Sequence, residues 1–88
     1  MGEIQVGEYY KHFKGENIYK ILATNVIYTG TNIQKELTNL VVYQNIENRK
    51  IFVREENELL EEIDEERQKK YGQKYRIQKI SEEEAREN

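Results

Sequence analysis

Eighty-eight residues, 36% hydrophobic and 35% charged, leave room for one small core and exclude a second, because a chain this short buries only about 60–65% of its extended surface on folding. With no cysteine, disulfide stapling, thiolate catalysis and thiolate zinc sites are excluded, and no apolar run approaches the roughly 20 residues that cross a bilayer. The net charge of −3 divides unequally: residues 1–54 carry 7 Lys and Arg against 5 Glu, and residues 55–88 carry 7 against 12 Asp and Glu, a balance that makes duplex nucleic acid an unexpected partner.

The opening Met-Gly-Glu-Ile-Gln-Val lacks a basic stretch followed by an apolar one, which predicts a cytoplasmic protein with no membrane association. No proline occurs, so Gly7, Gly15, Gly30 and Gly72 punctuate the chain. Val6 to Tyr10 reads as a first short strand. Ile18 to Tyr28 reads as a second, and its apolar residues fall on both faces, as they do in a strand that bends and changes the face it buries. Thr29 to Asn39 is a polar connection whose Ile33 and Leu37 suit either one helical turn or a loop anchor. Leu40 to Ile46 and Ile51 to Arg54 are the third and fourth strands, and the polar Glu47-Asn48-Arg49-Lys50 between them predicts an antiparallel hairpin. Alternation along these strands predicts a shared core of Val6, Ile21, Val41 or Val42, Ile51 and Val53.

From Glu55 to Lys70 β-branched residues almost vanish. Leu59, Leu60 and Ile63 recur at helical spacing, with acids early and bases late, the order the helix dipole favours. This predicts one short helix docked on the sheet by those three side chains, stopped by Gly72. Lys74 to Ile80 permits a last strand. Ser81 can cap a further turn, but the final eight residues hold one apolar side chain, Ala85, and are expected to fray. The domain reading is a β domain over residues 1–63 with a charged extension over 64–88 that belongs to the same unit.

No standard catalytic constellation is complete. The single histidine, His12, has no activated nucleophile or carboxylate at motif spacing, and there is no Walker loop, dinucleotide fingerprint or His-Glu-x-x-His helix. The carboxylates between Glu61 and Glu66 lie among bases, as a solvated face does. The expectation is a non-enzymatic protein with no cofactor and no metal.

His12-Phe13-Lys14-Gly15 is the most informative tetrapeptide. It reads either as an anion-binding corner, with His12 and Lys14 on one side and Phe13 anchoring the other, or as a turn whose lysine is merely solvated. Seven tyrosines suit stacking platforms, a half-buried sheet surface or a subunit interface. Arg54 closes an apolar strand, either as a partner for a carboxylate or as a ligand-facing cation.

Tyr10-Lys11-His12-Phe13-Lys14-Gly15, then Tyr19, Val41-Val42-Tyr43 and Phe52-Val53-Arg54 together resemble a small bacterial and phage family catalogued as domain of unknown function 1653. The resemblance spans Gly7 to about Ile63, with Glu55 where the family has proline. It implies a small SH3-like bent sheet or barrel and no activity; with the helix read above, the expected fold class is mainly β, a small SH3-like bent sheet or barrel with a short C-terminal helix. The functional expectation is a binding module for a small anionic, nucleotide-like ligand held by His12, Lys14, Tyr43 and Arg54, for example by sequestration in a homo-oligomer. The alternative is a protein-interaction or inhibitor module, phage-encoded in one version, acting through the acidic helix or a strand edge.

Overall fold

The computed structural model describes residues 4–15, 17–30 and 37–87. Four strands arise where the β-branched and aromatic residues cluster: β1 (Tyr9–His12), β2 (Ile18–Val26), β3 (Leu40–Asn45) and β4 (Ile51–Glu55). After two short helices, α1 (Glu56–Leu59) and α2 (Glu65–Tyr71), the chain returns as β5 (Ile77–Ile80) and ends in α3 (Glu82–Arg86). All strand pairs are antiparallel, in the order β4-β3-β2-β1-β5. The protein is therefore mainly β, a small bent sheet whose two outermost strands are not paired with each other.

The bend lies in β2. Its pairing with β3 shifts register twice, between Ile21 and Ala23 and between Ala23 and Val26, and Asn25 takes a positive φ of 55°, a conformation asparagine tolerates better than most residues. This is the change of face that the two-sided apolar pattern of β2 predicts. The hairpin between β3 and β4 also forms at the expected place. Buried Asn45 organises it, its side-chain oxygen accepting from the backbone N–H groups of Glu47 and Asn48 at 2.8 and 3.2 Å.

Strand register sorts the side chains onto two faces. Tyr10 pairs with Tyr19, Ile21 with Tyr43, Tyr43 with Phe52, Val41 with Arg54 and His12 with Ile77, so all of these share one face. The main core lies on it: Tyr10, Ile21, Val41 and Ile77 are joined by Ile4 and by Leu59 of α1. On the opposite face Ile18 and Ile80 form a smaller cluster closed by Ala85 of α3.

The core differs from the one that alternation predicts. Val6, Ile51 and Val53 are 61%, 60% and 57% exposed. Val6 lies in the turn before β1, and Ile51 and Val53 project from β4 on the side opposite Phe52 and Arg54, where no described element covers them. In Ile-Phe-Val-Arg three of four residues are apolar, so the sequence cannot show which face is covered. Their places are taken by Ile4, Tyr10, Leu59 and Ile77.

Residues 55–70 also differ from the single helix expected. Glu61 to Ile63 run extended against the approach to β5, with Glu62 bridged to Tyr75, the Ile63 N–H donating to the Lys74 carbonyl at 3.0 Å and the Arg76 N–H donating to the Glu61 carbonyl at 2.9 Å. Pairing here overrides helical propensity and splits the segment into α1 and α2. The docking itself holds: Leu59 and Ile63 are buried and Leu60 packs against the core. Asp64 caps α2 by accepting from the Arg67 N–H at 2.8 Å, and Gly72 closes it in the left-handed conformation at φ 66°.

Gln73, 5% exposed, ties β5 to β1, its side-chain amide donating to the Tyr75 carbonyl at 2.8 Å with the Lys11 carbonyl at 3.5 Å. Where fraying is expected, α3 forms instead, capped by Ser81 and anchored by Ala85 at 1% exposure. Leu37 anchors the connection before β3 by accepting the Tyr28 N–H at 2.9 Å, whereas Ile33 lies outside the described residues. No described helix is long and apolar enough to cross a membrane.

Candidate functional site

The shared face carries a pocket of about 210 Å³ where the main core stops. Leu59 and Ile77 form its apolar floor. Tyr19, Tyr43 and Phe52 wall one side, and His12, Arg54 and Arg76 supply its polar groups. The strand residues are placed by register: Phe52 and Arg54 are alternate residues of β4, Tyr43 stands opposite Phe52, and His12 stands opposite Ile77.

The aromatic wall is built by mutual packing. Tyr43 and Phe52 stack with ring centroids 5.7 Å apart, and Tyr19 meets both edge-on at 5.1 and 6.1 Å. Such contacts fix the rings without filling the space in front of them. Arg54 and the Tyr43 ring both line the pocket. Burial raises the pKa of the Tyr43 and Tyr19 hydroxyls, and Arg54 offsets part of that rise. Both therefore stay protonated at neutral pH.

His12 is held as a neutral ring. Burial lowers its pKa first, and the cations Arg76, Lys14 and Arg54 lower it further. Its Nδ1 accepts the backbone N–H of Lys14 at 3.2 Å, which leaves the proton on Nε2 as a donor. The local turn makes this possible: the Gly15 N–H donates to the His12 carbonyl at 3.2 Å, with Gly15 at φ 144°, a conformation that L side chains rarely adopt.

The two arginines reach the pocket with exposed carboxylate partners. Arg54 pairs with Glu58 at 3.7 Å and Arg76 with Glu61 at 3.3 Å. The Arg76 Nε is buried and has no hydrogen-bond partner among the described residues, an uncompensated donor on a cation. No carboxylate lines the pocket among the described residues, and no three His, Asp or Glu side chains converge there as metal ligands.

Of the four residues singled out from sequence, His12, Tyr43 and Arg54 come together in this pocket and Lys14 does not. The Lys14 ammonium sits 5.8 Å above the buried Phe13 ring and faces an open hollow beside α2, with Arg67 5.7 Å from the same ring. The turn that hands the Lys14 N–H to His12 sends its side chain away. Arg76 occupies the role expected of Lys14. It lies 22 residues beyond Arg54, just before β5, where only a correct pairing of β5 with β1 would have found it. Tyr19, by contrast, carries a visible signal as part of the motif spacing.

The family comparison covers this whole arrangement. The family model described as Protein of unknown function (DUF1653) matches residues 8–79. The chain belongs to the DUF1653 family. The match runs through both helices of the 55–71 segment and into β5, well past Ile63, so the DUF1653 unit takes in Arg76 and Ile77 as well as the motif residues. No curated protein and no solved structure matches the chain significantly.

Proposed function

We propose that this DUF1653 protein is a non-enzymatic binding module for a small anion that carries a planar apolar part, as a nucleotide does. The observation that supports this best is the convergence of two guanidinium groups and a neutral histidine donor on a pocket walled by three aromatic rings. Guanidinium forks suit phosphate and carboxylate oxygens. The tyrosine and phenylalanine rings suit a flat apolar group.

Size limits how the ligand sits. Pockets that engulf drug-sized molecules run to roughly 300–1,000 Å³, so the space of about 210 Å³ here takes the charged end of the ligand and leaves the remainder against Phe52 at the rim. The carboxylates of Glu58 and Glu61 are modest competitors, because half-exposed ion pairs contribute only about 0–1 kcal/mol.

The alternative, an interaction or inhibitor module working through the acidic segment, draws less support. Glu58, Glu61, Glu62 and Asp64 are engaged by Arg54, Arg76, Lys74 and Arg67 of the same chain, so much of that charge is neutralised internally. The test is titration of inorganic phosphate and a panel of mono- and dinucleotides, followed by calorimetry and by NMR of the aromatic side chains. Binding that shifts Tyr19, Tyr43 and Phe52 and weakens with added salt is expected. Absence of binding across the panel, or binding that leaves those rings unmoved, would reject the reading.

A further inference from the structure

The two edges of the sheet are finished differently. The β5 side is partly covered by Glu61 to Ile63, which pair with residues 74–76. The β4 side has no neighbouring strand among the described residues, and Ile51, Phe52 and Val53 are 60%, 40% and 57% exposed. Most of the usual protections of an edge are missing here: β4 contains no proline or glycine, its two charges stand together at its C-terminal end as Arg54 and Glu55, and the β3–β4 register runs without a bulge from Leu40–Glu55 to Gln44–Ile51.

We infer that β4 pairs antiparallel with β4 of a second copy of this chain, across a two-fold axis through Val53, and that this pairing sets the second copy's Arg54 on Phe52 at the mouth of the pocket. A two-fold axis perpendicular to the sheet keeps each face on its own side, so the pairing centres on a residue and joins residues of like orientation. Four centres fall within the exposed residues Ile51 to Arg54. Centring on Ile51 carries the ladder into the hairpin turn, setting Arg49, at a positive φ of 65°, against Val53. Centring on Phe52 sets Lys50 against Arg54, and centring on Arg54 sets two arginines face to face. Centring on Val53 sets Phe52 against Arg54 twice, Val53 against Val53, and Ile51 against the aliphatic stem of Glu55. Only the last keeps the ladder within β4, avoids like charges and gives each guanidinium an aromatic face.

The occupant follows from this self-complementarity. The strand carries its own partner chemistry, apolar in the middle with aromatic and cation placed symmetrically about it. Because Phe52 and Arg54 both line the pocket, the partner copy adds a cation to the rim where the planar part of a ligand rests. That consequence rests on the binding reading above, whereas the pairing stands on the edge alone. Sedimentation reports the pairing and anion titration reports the pocket, so the two fail separately.

Val53→Lys places two lysines directly opposite one another on the axis, at a position exposed enough to leave the single chain's fold intact. Wild type is expected to sediment at twice the chain mass at micromolar concentration, and Val53→Lys at the mass of one chain with unchanged circular dichroism. In a sample mixing isotope-labelled and unlabelled wild-type chains, isotope-filtered NMR should show contacts between Phe52 ring protons and the Arg54 side chain of the other copy. A wild type that stays monomeric on tenfold concentration overturns the inference and leaves the edge to an extended peptide of another protein. A dimer that survives Val53→Lys, or that lacks the Phe52–Arg54 contacts, overturns it equally.

Discussion

His12 on β1 stands directly opposite Ile77 on β5, so the last strand of the sheet, not the four strands of the first half, completes the pocket. Truncation after Arg54 removes Leu59, Arg76, Ile77 and the partner strand of β1, and is expected to abolish cooperative folding. Removal of residues 81–88 uncovers Ile18 and Ile80 where Ala85 sealed them, and should lower the melting temperature by several degrees, corresponding to about 1–2 kcal/mol. Thermal unfolding by circular dichroism compares the two; equal stability of either truncation with wild type would contradict this packing.

Arg54→Ala and Arg76→Ala should each weaken anion binding about ten- to a hundredfold, the range of one lost charge-assisted hydrogen bond of ~1.5–3 kcal/mol. Lys14→Ala should have a much smaller effect, since its ammonium lies over Phe13 in a different hollow. Calorimetric titration of all three variants separates the site described here from an anion corner centred on Lys14.

With one histidine in the chain, its NMR titration is unambiguous. Burial, followed by the nearby cations, lowers the His12 pKa, so the midpoint should fall below the ordinary 6.5. The unfolded chain then binds the proton more readily than the folded one, so the contribution of neutral His12 to stability is full above 6.5 and declines as pH falls through the folded value. A bound anion reverses part of the effect, and the midpoint should rise when phosphate is added. A midpoint insensitive to phosphate at saturating concentration would argue against His12 facing the ligand.

Glu8 behaves in the opposite chemical sense with the same pH direction. Burial alone would raise its pKa, but Lys79 at 2.7 Å, the Gln5 N–H at 2.8 Å and the Tyr10 hydroxyl at 2.8 Å together bring it below 4.5. The stability this carboxylate supplies is present above 4.5 and lost as pH falls through its folded value. Glu8→Gln should cost about 1–3 kcal/mol at neutral pH and flatten the acid limb of the stability curve, measured by urea unfolding at stepped pH.

Burial also separates two valines that the sequence treats alike. Val41→Ala, at 1% exposure in the main core, should cost about 2–3 kcal/mol through lost burial and a residual cavity. Val6→Ala, at 61% exposure, should stay within about 0.5 kcal/mol. Chemical denaturation of the pair checks the core assignment directly.

The sequence by itself determined the local facts. β-branched and aromatic clusters located β1 to β4 within a few residues, the two-sided pattern of β2 announced its bend, the Glu47–Lys50 turn joined β3 to β4, and Gly72 and Ser81 marked helix ends. The spaced motifs placed His12, Tyr43 and Arg54 in the family, because strand, turn and capping preferences act between near neighbours. Tertiary structure decided what depends on distant pairing. Whether Ile51 and Val53 or Phe52 and Arg54 faced the core was set by what covers each side of the sheet. The helix expected over 55–70 broke because Glu61 to Ile63 found backbone partners near β5. Arg76 entered the pocket in place of Lys14 because β5 returns beside β1 more than 60 residues along the chain, and neither composition nor periodicity encodes which strand a returning segment will pair with.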